Sequence, residues 1–263
     1  MNRVYRIVRK EWAEIFKNRF VLFTVAFLPL LAALLPLGIL YFVSSSPDFA
    51  ADVGEDIPQE FSALCNNLTG QECIQYFLIS QFILLFMILP LAIPITIASY
   101  SIIGEKTTRT LEPLLATPIT TAELLGGKGA AAVIPGVTAT WLAYLVLVIG
   151  VALMGVGSGV MDNLLDPFWL IAIIVVGPLL ALTGVSVAVI VSSRATDPRT
   201  AEQTSMLVFL PILLVFFAQM AGLILIDAQL VLLIALALVV IDAGLMAVAV
   251  QLFQRETILT RWK

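Results

Sequence analysis

An all-helical integral membrane protein with six transmembrane helices is predicted by three features of this sequence. The first is composition: of 263 residues, 60% are hydrophobic and 12% charged, with a mean hydropathy of +1.05. A soluble domain carries about twice that share of charge. The second is run length. Apolar stretches at 20–43, 76–103, 129–154, 168–193, 204–225 and 231–253 all reach the ~20 residues a spanning helix needs. None alternates as a membrane barrel strand would. The third is where the charge falls. All 14 Lys and Arg lie in the N-terminal segment (Arg3, Arg6, Arg9, Lys10, Lys17, Arg19), after the second run (Lys106, Arg109, Lys128), after the fourth (Arg194, Arg199) and in the tail (Arg255, Arg261, Lys263). The three intervening loops have none, so both termini are expected in the cytoplasm of a cell (plasma) membrane.

The chain reads as a single transmembrane domain over 1–263. Residues 3–18 open it as an amphipathic helix. Val4, Tyr5, Val8, Trp12, Ile15 and Phe16 are expected on one side, with Arg3, Arg6, Arg9, Lys10, Glu14 and Lys17 on the other. A basic face opposite a Trp-bearing apolar face suits a helix lying in the interface plane. The apolar run that follows is too long for a signal peptide and has no small-residue cleavage site. Prolines stand in the first five runs: Pro29, Pro36, Pro90, Pro94, Pro135, Pro178 and Pro211. Each removes a backbone donor and bends its helix, which membrane spans tolerate.

The first loop, 44–75, is the only sizeable segment on the opposite, acidic side, and it holds both cysteines. Cys65 and Cys73 either form a disulfide, as an oxidising compartment permits, or remain two free thiols. Asn67-Leu68-Thr69 matches the short glycosylation triplet. Asp242 is the lone charge inside a predicted span. A carboxyl at that depth is costly and marks a candidate translocation path. It meets a cationic group there, or is protonated, or bonds to a neighbouring helix such as one bearing Ser186, Ser192 or Gln219.

The longest polar interruption on the basic side is 104–128, GEKTTRTLEPLLATPITTAELLGGK. Leu111, Leu114 and Leu115 fall on one face of a short helix. Pro118 stops it, and Thr120 with Glu123 reads as a capping box that opens the next helix. In the order Gly-Glu, basic residue, Thr-Leu-Glu, Leu-Leu, Ala-Thr-Pro, Glu-Leu-Leu, Gly-Lys, this stretch resembles the cytoplasmic loop of the type-2 ABC transporter permease family. The resemblance implies a coupling helix between the second and third spans that sits in a groove of a separate ATPase subunit. It also makes the N-terminal amphipathic helix part of the dock. On that reading Glu105, Arg109, Leu111, Glu112, Leu115, Pro118 and Glu123 carry coupling, and the permease pairs with a second copy or a homologue.

Absent chemistry narrows the alternatives. The chain has no His, which removes most metal sites and His-based catalysis. Gly126-Gly127-Lys128 ends like a phosphate-binding loop, but Ala122 replaces its first glycine and Gly129 its Ser or Thr. No cofactor is therefore expected in this chain, and ATP and magnesium belong to the partner. No catalytic residues are expected. Basic residues spread over four segments argue against nucleic acid. An ion-gradient carrier using Asp242 is the competing function; such carriers place several ionisable groups or broken helices at mid-membrane. Substrate class lies beyond the sequence.

Overall fold

The computed structural model describes residues 3–46, 68, 70–108 and 120–252. Among these, 89% are helical and none is in a strand. Helix α1 (Arg3–Ile15) runs into α2 (Arg19–Ser45), whose start is capped by Asn18: its side chain accepts from the Phe20 amide at 3.0 Å. The chain returns as α3 (Gly70–Phe86) and α4 (Leu89–Thr107). The break between them sits just before Pro90, which cannot donate into the ladder. Helix α5 (Thr121–Met154) opens on the expected capping box, with Thr120 and Glu123 bonded reciprocally. It ends at Gly155, whose left-handed φ of 63° suits a residue without Cβ.

The fourth crossing is irregular: α6 (Ser158–Leu164), α7 (Pro167–Ile171), a π turn over Ala172–Val176, then α8 (Gly177–Arg194). Pro178 explains the π turn. It has no amide for the carbonyl four residues back, and the Gly177 N–H instead reaches the Ala172 carbonyl five residues back. Next come α9 (Pro198–Ser205), a 3-10 turn (Met206–Phe209) and α10 (Leu210–Met220). Residues 221–227 link these to α11 (Ala228–Leu252).

Among the described residues, six helical stretches are long and apolar enough to cross a membrane: Arg19–Ser45, Gly70–Thr107, Thr121–Met154, Ser158–Arg194, Pro198–Met220 and Ala228–Leu252. The second is the post of the bundle, with α4 packed against both α8 and α5. Two glycines permit the close approach. A Cβ on Gly184 would sit 3.1 Å from the Leu91 carbonyl oxygen, and one on Gly136 only 2.6 Å from Pro94 Cγ. Polar side chains pin one end of the post. Asn163 donates to Ser80 Oγ at 2.8 Å and accepts from Trp169 Nε1 at 3.1 Å, while the Tyr144 hydroxyl donates to the Leu164 carbonyl.

Candidate functional site: a buried ion cluster at the roots of the 104–128 loop

Helix α1 lies on the end of the bundle that carries the 104–128 loop. Ile7, Val8, Glu11 and Ile15 form its buried stripe, and Trp12 Nε1 donates to the Ala131 carbonyl at 3.0 Å. The fit depends on Gly127, where a Cβ would stand 2.8 Å from Ile7 Cγ2. This face differs from the one the sequence predicts. Val8 and Ile15 are buried as expected, but Tyr5 and Phe16 are exposed, and Ile7 and Glu11 take the interior. The reason is that the helix packs on protein along that stripe, and protein, unlike lipid, can offer a partner to a charge.

That partner is Lys128, which is 7% exposed. Its ammonium lies 2.8 Å from Glu11 Oε1 and 2.8 Å from Glu105 Oε2, and it donates to Ser101 Oγ at 2.8 Å. Ser101 in turn donates to Glu11 Oε2. Lys10 closes the far side, 2.7 Å from Glu105 Oε1 and 3.7 Å from Glu14. Burial by itself would lower the Lys10 ammonium, but its bond to Glu105 and the charges of Glu105, Glu14 and Glu11 outweigh this and raise it above the usual lysine value.

Taking Lys128, Glu11 and Glu105 out of water is expensive, and their mutual attraction offsets that cost only while all three are in place. The cluster is therefore a geometric lock more than a net source of stability. One Oε or carboxylate oxygen from each of Glu11, Glu14 and Glu105 falls within 4.8 Å of the others, a grouping that suits a cation. Two ammonium groups already stand there, so the donor set is that of an ion-pair network and not of a metal centre.

The position of the lock matters. Glu105 is in the last turn of α4, and Lys128 is two turns into α5, so one ion pair joins both roots of the loop. Glu11 ties α1 to the same point. A second tie runs from the adjacent Lys106, whose ammonium donates to the Ala195 and Ser193 carbonyls at 2.9 and 3.3 Å, at the C-terminus of α8. A cation there also complements the helix dipole. Just beyond, Asp197 caps α9 by accepting from the Thr200 amide at 3.0 Å. Buried Glu202 accepts from the Thr96 hydroxyl of the post.

Of the residues singled out in the sequence, Glu105 lies in the lock and Glu123 caps α5. Arg109, Leu111, Glu112, Leu115 and Pro118 fall outside the described residues. Asp242 is buried and held by the Thr183 hydroxyl at 2.6 Å, on α8, the neighbouring helix that also bears Ser186 and Ser192. Cys73 is in a disulfide, while Cys65 falls outside the described residues. Glu11, Lys10, Ser101 and Lys128 were missed as site residues. Glu11 did leave a signal: it stands four residues from both Ile7 and Ile15, a charge on a buried stripe.

The family model described as ABC-2 family transporter protein matches residues 5–236. No curated protein matches the chain.

Proposed function

The chain belongs to the ABC-2 family of transporter proteins, and on that premise we propose that it is the permease of an exporter whose ATPase docks on the 104–128 loop. Membership supports a membrane subunit and implies an ABC ATPase as its partner. The lock around Lys128 is the observation that supports docking at this loop. A force applied there reaches α1, α4 and α5 together, because Glu11, Glu105 and Lys128 cannot separate without leaving a charge buried.

In this reading the N- and C-termini and the loop face the cytoplasm of the plasma membrane, as the distribution of Lys and Arg favours. ATP and magnesium bind the partner subunit. Two permeases pair, as two copies of this chain or as this chain with a homologue, over one ATPase each. ATP-driven closure of the ATPases pushes the segment 104–128, with Glu105, Arg109, Leu111, Glu112, Leu115, Pro118 and Glu123 at or beside the contact. The lock then turns that push into a rigid-body tilt of the spans.

Purification of the chain from its native membranes in mild detergent tests this. A stoichiometric soluble protein with a phosphate-binding loop is expected, and its absence under conditions that keep related complexes whole would overturn the reading. Glu112→Arg is expected to reduce the ATPase activity of that complex several-fold with no change in melting temperature. Unaltered ATPase activity and binding would remove the loop as the dock.

A further inference from the structure

Between spans 2, 4, 5 and 6 lies a cavity of about 300 Å3. Its inner wall comes from spans 2 and 4, through Leu84, Met87, Trp169 and Val176 among others, and every lining residue from those two spans is buried. The outer wall comes from spans 5 and 6 and the link 221–227. There Pro211 and Ile241 are exposed, and Val208, Val215, Ile226 and Ile234 are half-buried. The cavity is thus closed toward the bundle and open between spans 5 and 6. Packing explains the opening: α10 is held chiefly by α3 and α11 chiefly by α8. Irregular backbone borders the space as well, in the π turn, the 3-10 turn and the link. Such backbone is tolerated in a membrane protein where it is buried or lines a cavity, and π turns recur at functional sites.

The chemistry of the wall selects the occupant. Among the described residues no Lys, Arg, Asp or Glu lines it. Its two polar side chains are engaged within the protein: Thr183 donates to Asp242 Oδ1 at 2.6 Å, and Trp169 Nε1 donates to Asn163 Oδ1 at 3.1 Å. A polar head entering this space would leave its own hydrogen-bonding groups without partners, which is costly. An apolar cavity stays dry and takes up an apolar guest. The opening faces a supply of such guests. Leu210 and Leu214 on span 5 and Val240 on span 6 flank lining residues and are more than half exposed. The rim is therefore continuous with the apolar surface that the spans present to a bilayer.

We propose that the cavity holds one acyl chain of a phospholipid, which enters from the bilayer between spans 5 and 6 and lies against Leu84, Met87 and Trp169 while its head stays outside. The gain is dispersion. A wall without partner atoms forfeits its contacts, and a chain threaded into the opening supplies them to both walls at once. It thereby also joins span 5 to span 6. Chain binding at this cavity requires no ATPase docking, so its failure would leave the proposed dock untouched.

The test uses the full chain in lipid nanodiscs, one chain per disc, with Trp12→Phe, Trp141→Phe and Trp262→Phe so that Trp169 is the lone Trp. Its emission is compared between discs of phosphatidylcholine with dibrominated acyl chains and discs of the plain lipid, because bromine quenches only at short range. Trp169 is 3% exposed and Trp141 42%, so a chain that stays outside the protein reaches Trp141 alone. Trp169 is expected to be quenched to the same fraction as Trp141 in the matching variant that keeps only that residue. Ala172→Phe and Ile234→Phe, which fill the cavity from opposite walls, are each expected to restore most of the Trp169 emission. Brominated phosphatidylglycerol is expected to quench as phosphatidylcholine does, since the wall meets the chain and not the head. Trp169 unquenched where Trp141 is quenched, quenching that survives both substitutions, or quenching with one head alone would overturn the proposal. So would its loss in discs that hold two chains, which would give the opening to a second copy.

Discussion

The second and fifth spans are both apolar helices of membrane length, yet their surroundings are opposite. The most apolar stretch of the second, Gly70–Thr107, is 83% buried within the chain, against 11% for the fifth, Pro198–Met220. The second is held on every side by α5, α8 and α9, and by the lock through Glu105. Within the described residues of the fifth, α9 is anchored by Glu202, but of α10 only Gln219 is buried. Hydropathy cannot tell a post from a lipid-facing span, because bilayer and protein interior are equally apolar. What separates them is the small residues and paired charges that the post requires and the outer span does not.

Removing the lock is expected to break this contrast with the largest effect. Lys128→Met leaves Glu11 and Glu105 buried with Lys10 alone to balance them, a loss of about 3–5 kcal/mol. Thermal unfolding of the purified chain in detergent should show it as a lower melting temperature, and a melting temperature equal to the parent's would mean the cluster is solvated. Replacing all three of Glu11, Glu105 and Lys128 by Met should restore much of the stability, since an apolar cluster of similar volume carries no desolvation cost. If that variant also keeps ATPase coupling, rigidity and not charge transmits the motion.

Next is Gly136→Leu. The new side chain would meet the ring of Pro94, whose Cγ lies 2.6 Å from the Cβ position and which cannot rotate away. Forcing the third span off the post should cost about 1–3 kcal/mol. Trp12→Phe is smaller: it keeps the ring against the bundle and loses one hydrogen bond to Ala131, about 1 kcal/mol. If α1 were merely adsorbed on lipid, that substitution would leave the melting temperature where it was.

These effects divide along the line between what was and was not legible in the sequence. The six crossings were legible because a run of about 20 apolar residues has few other fates. The full extent of their helices was not. The helix of the second begins at Gly70, ahead of the apolar run, where Gln71 and Gln75 find the Val43 carbonyl and Ser44 Oγ across from them. The helix of the third begins at Thr121, ahead of its apolar run, because the Thr120–Glu123 box and the Glu11–Lys128 pair give its polar first turns their partners. The capping box was legible, being local in the chain. The lock was not, since Glu11 and Lys128 are 117 residues apart and neither carries a mark of the other. Glu105 was legible as a candidate coupling residue, but its ion pairs with Lys10 and Lys128 were not.

The smallest expected effect sharpens the comparison most. Leu214, on the fifth span, is 69% exposed, and truncating such a residue normally changes stability by less than about 0.5 kcal/mol. Leu214→Ala should therefore leave the melting temperature of the isolated chain unchanged, where a similar truncation at buried Ile95 on the post should cost about 2–5 kcal/mol. In native membranes the two cases separate. If the fifth span faces lipid in the working transporter, Leu214→Ala stays silent there as well. If a second permease covers it, the substitution removes buried contact at that interface, and the fraction of cross-linked pairs recovered from membranes should fall while the monomer's melting temperature holds. A fall in both would mean instead that α10 packs on its own chain more closely than its exposure allows.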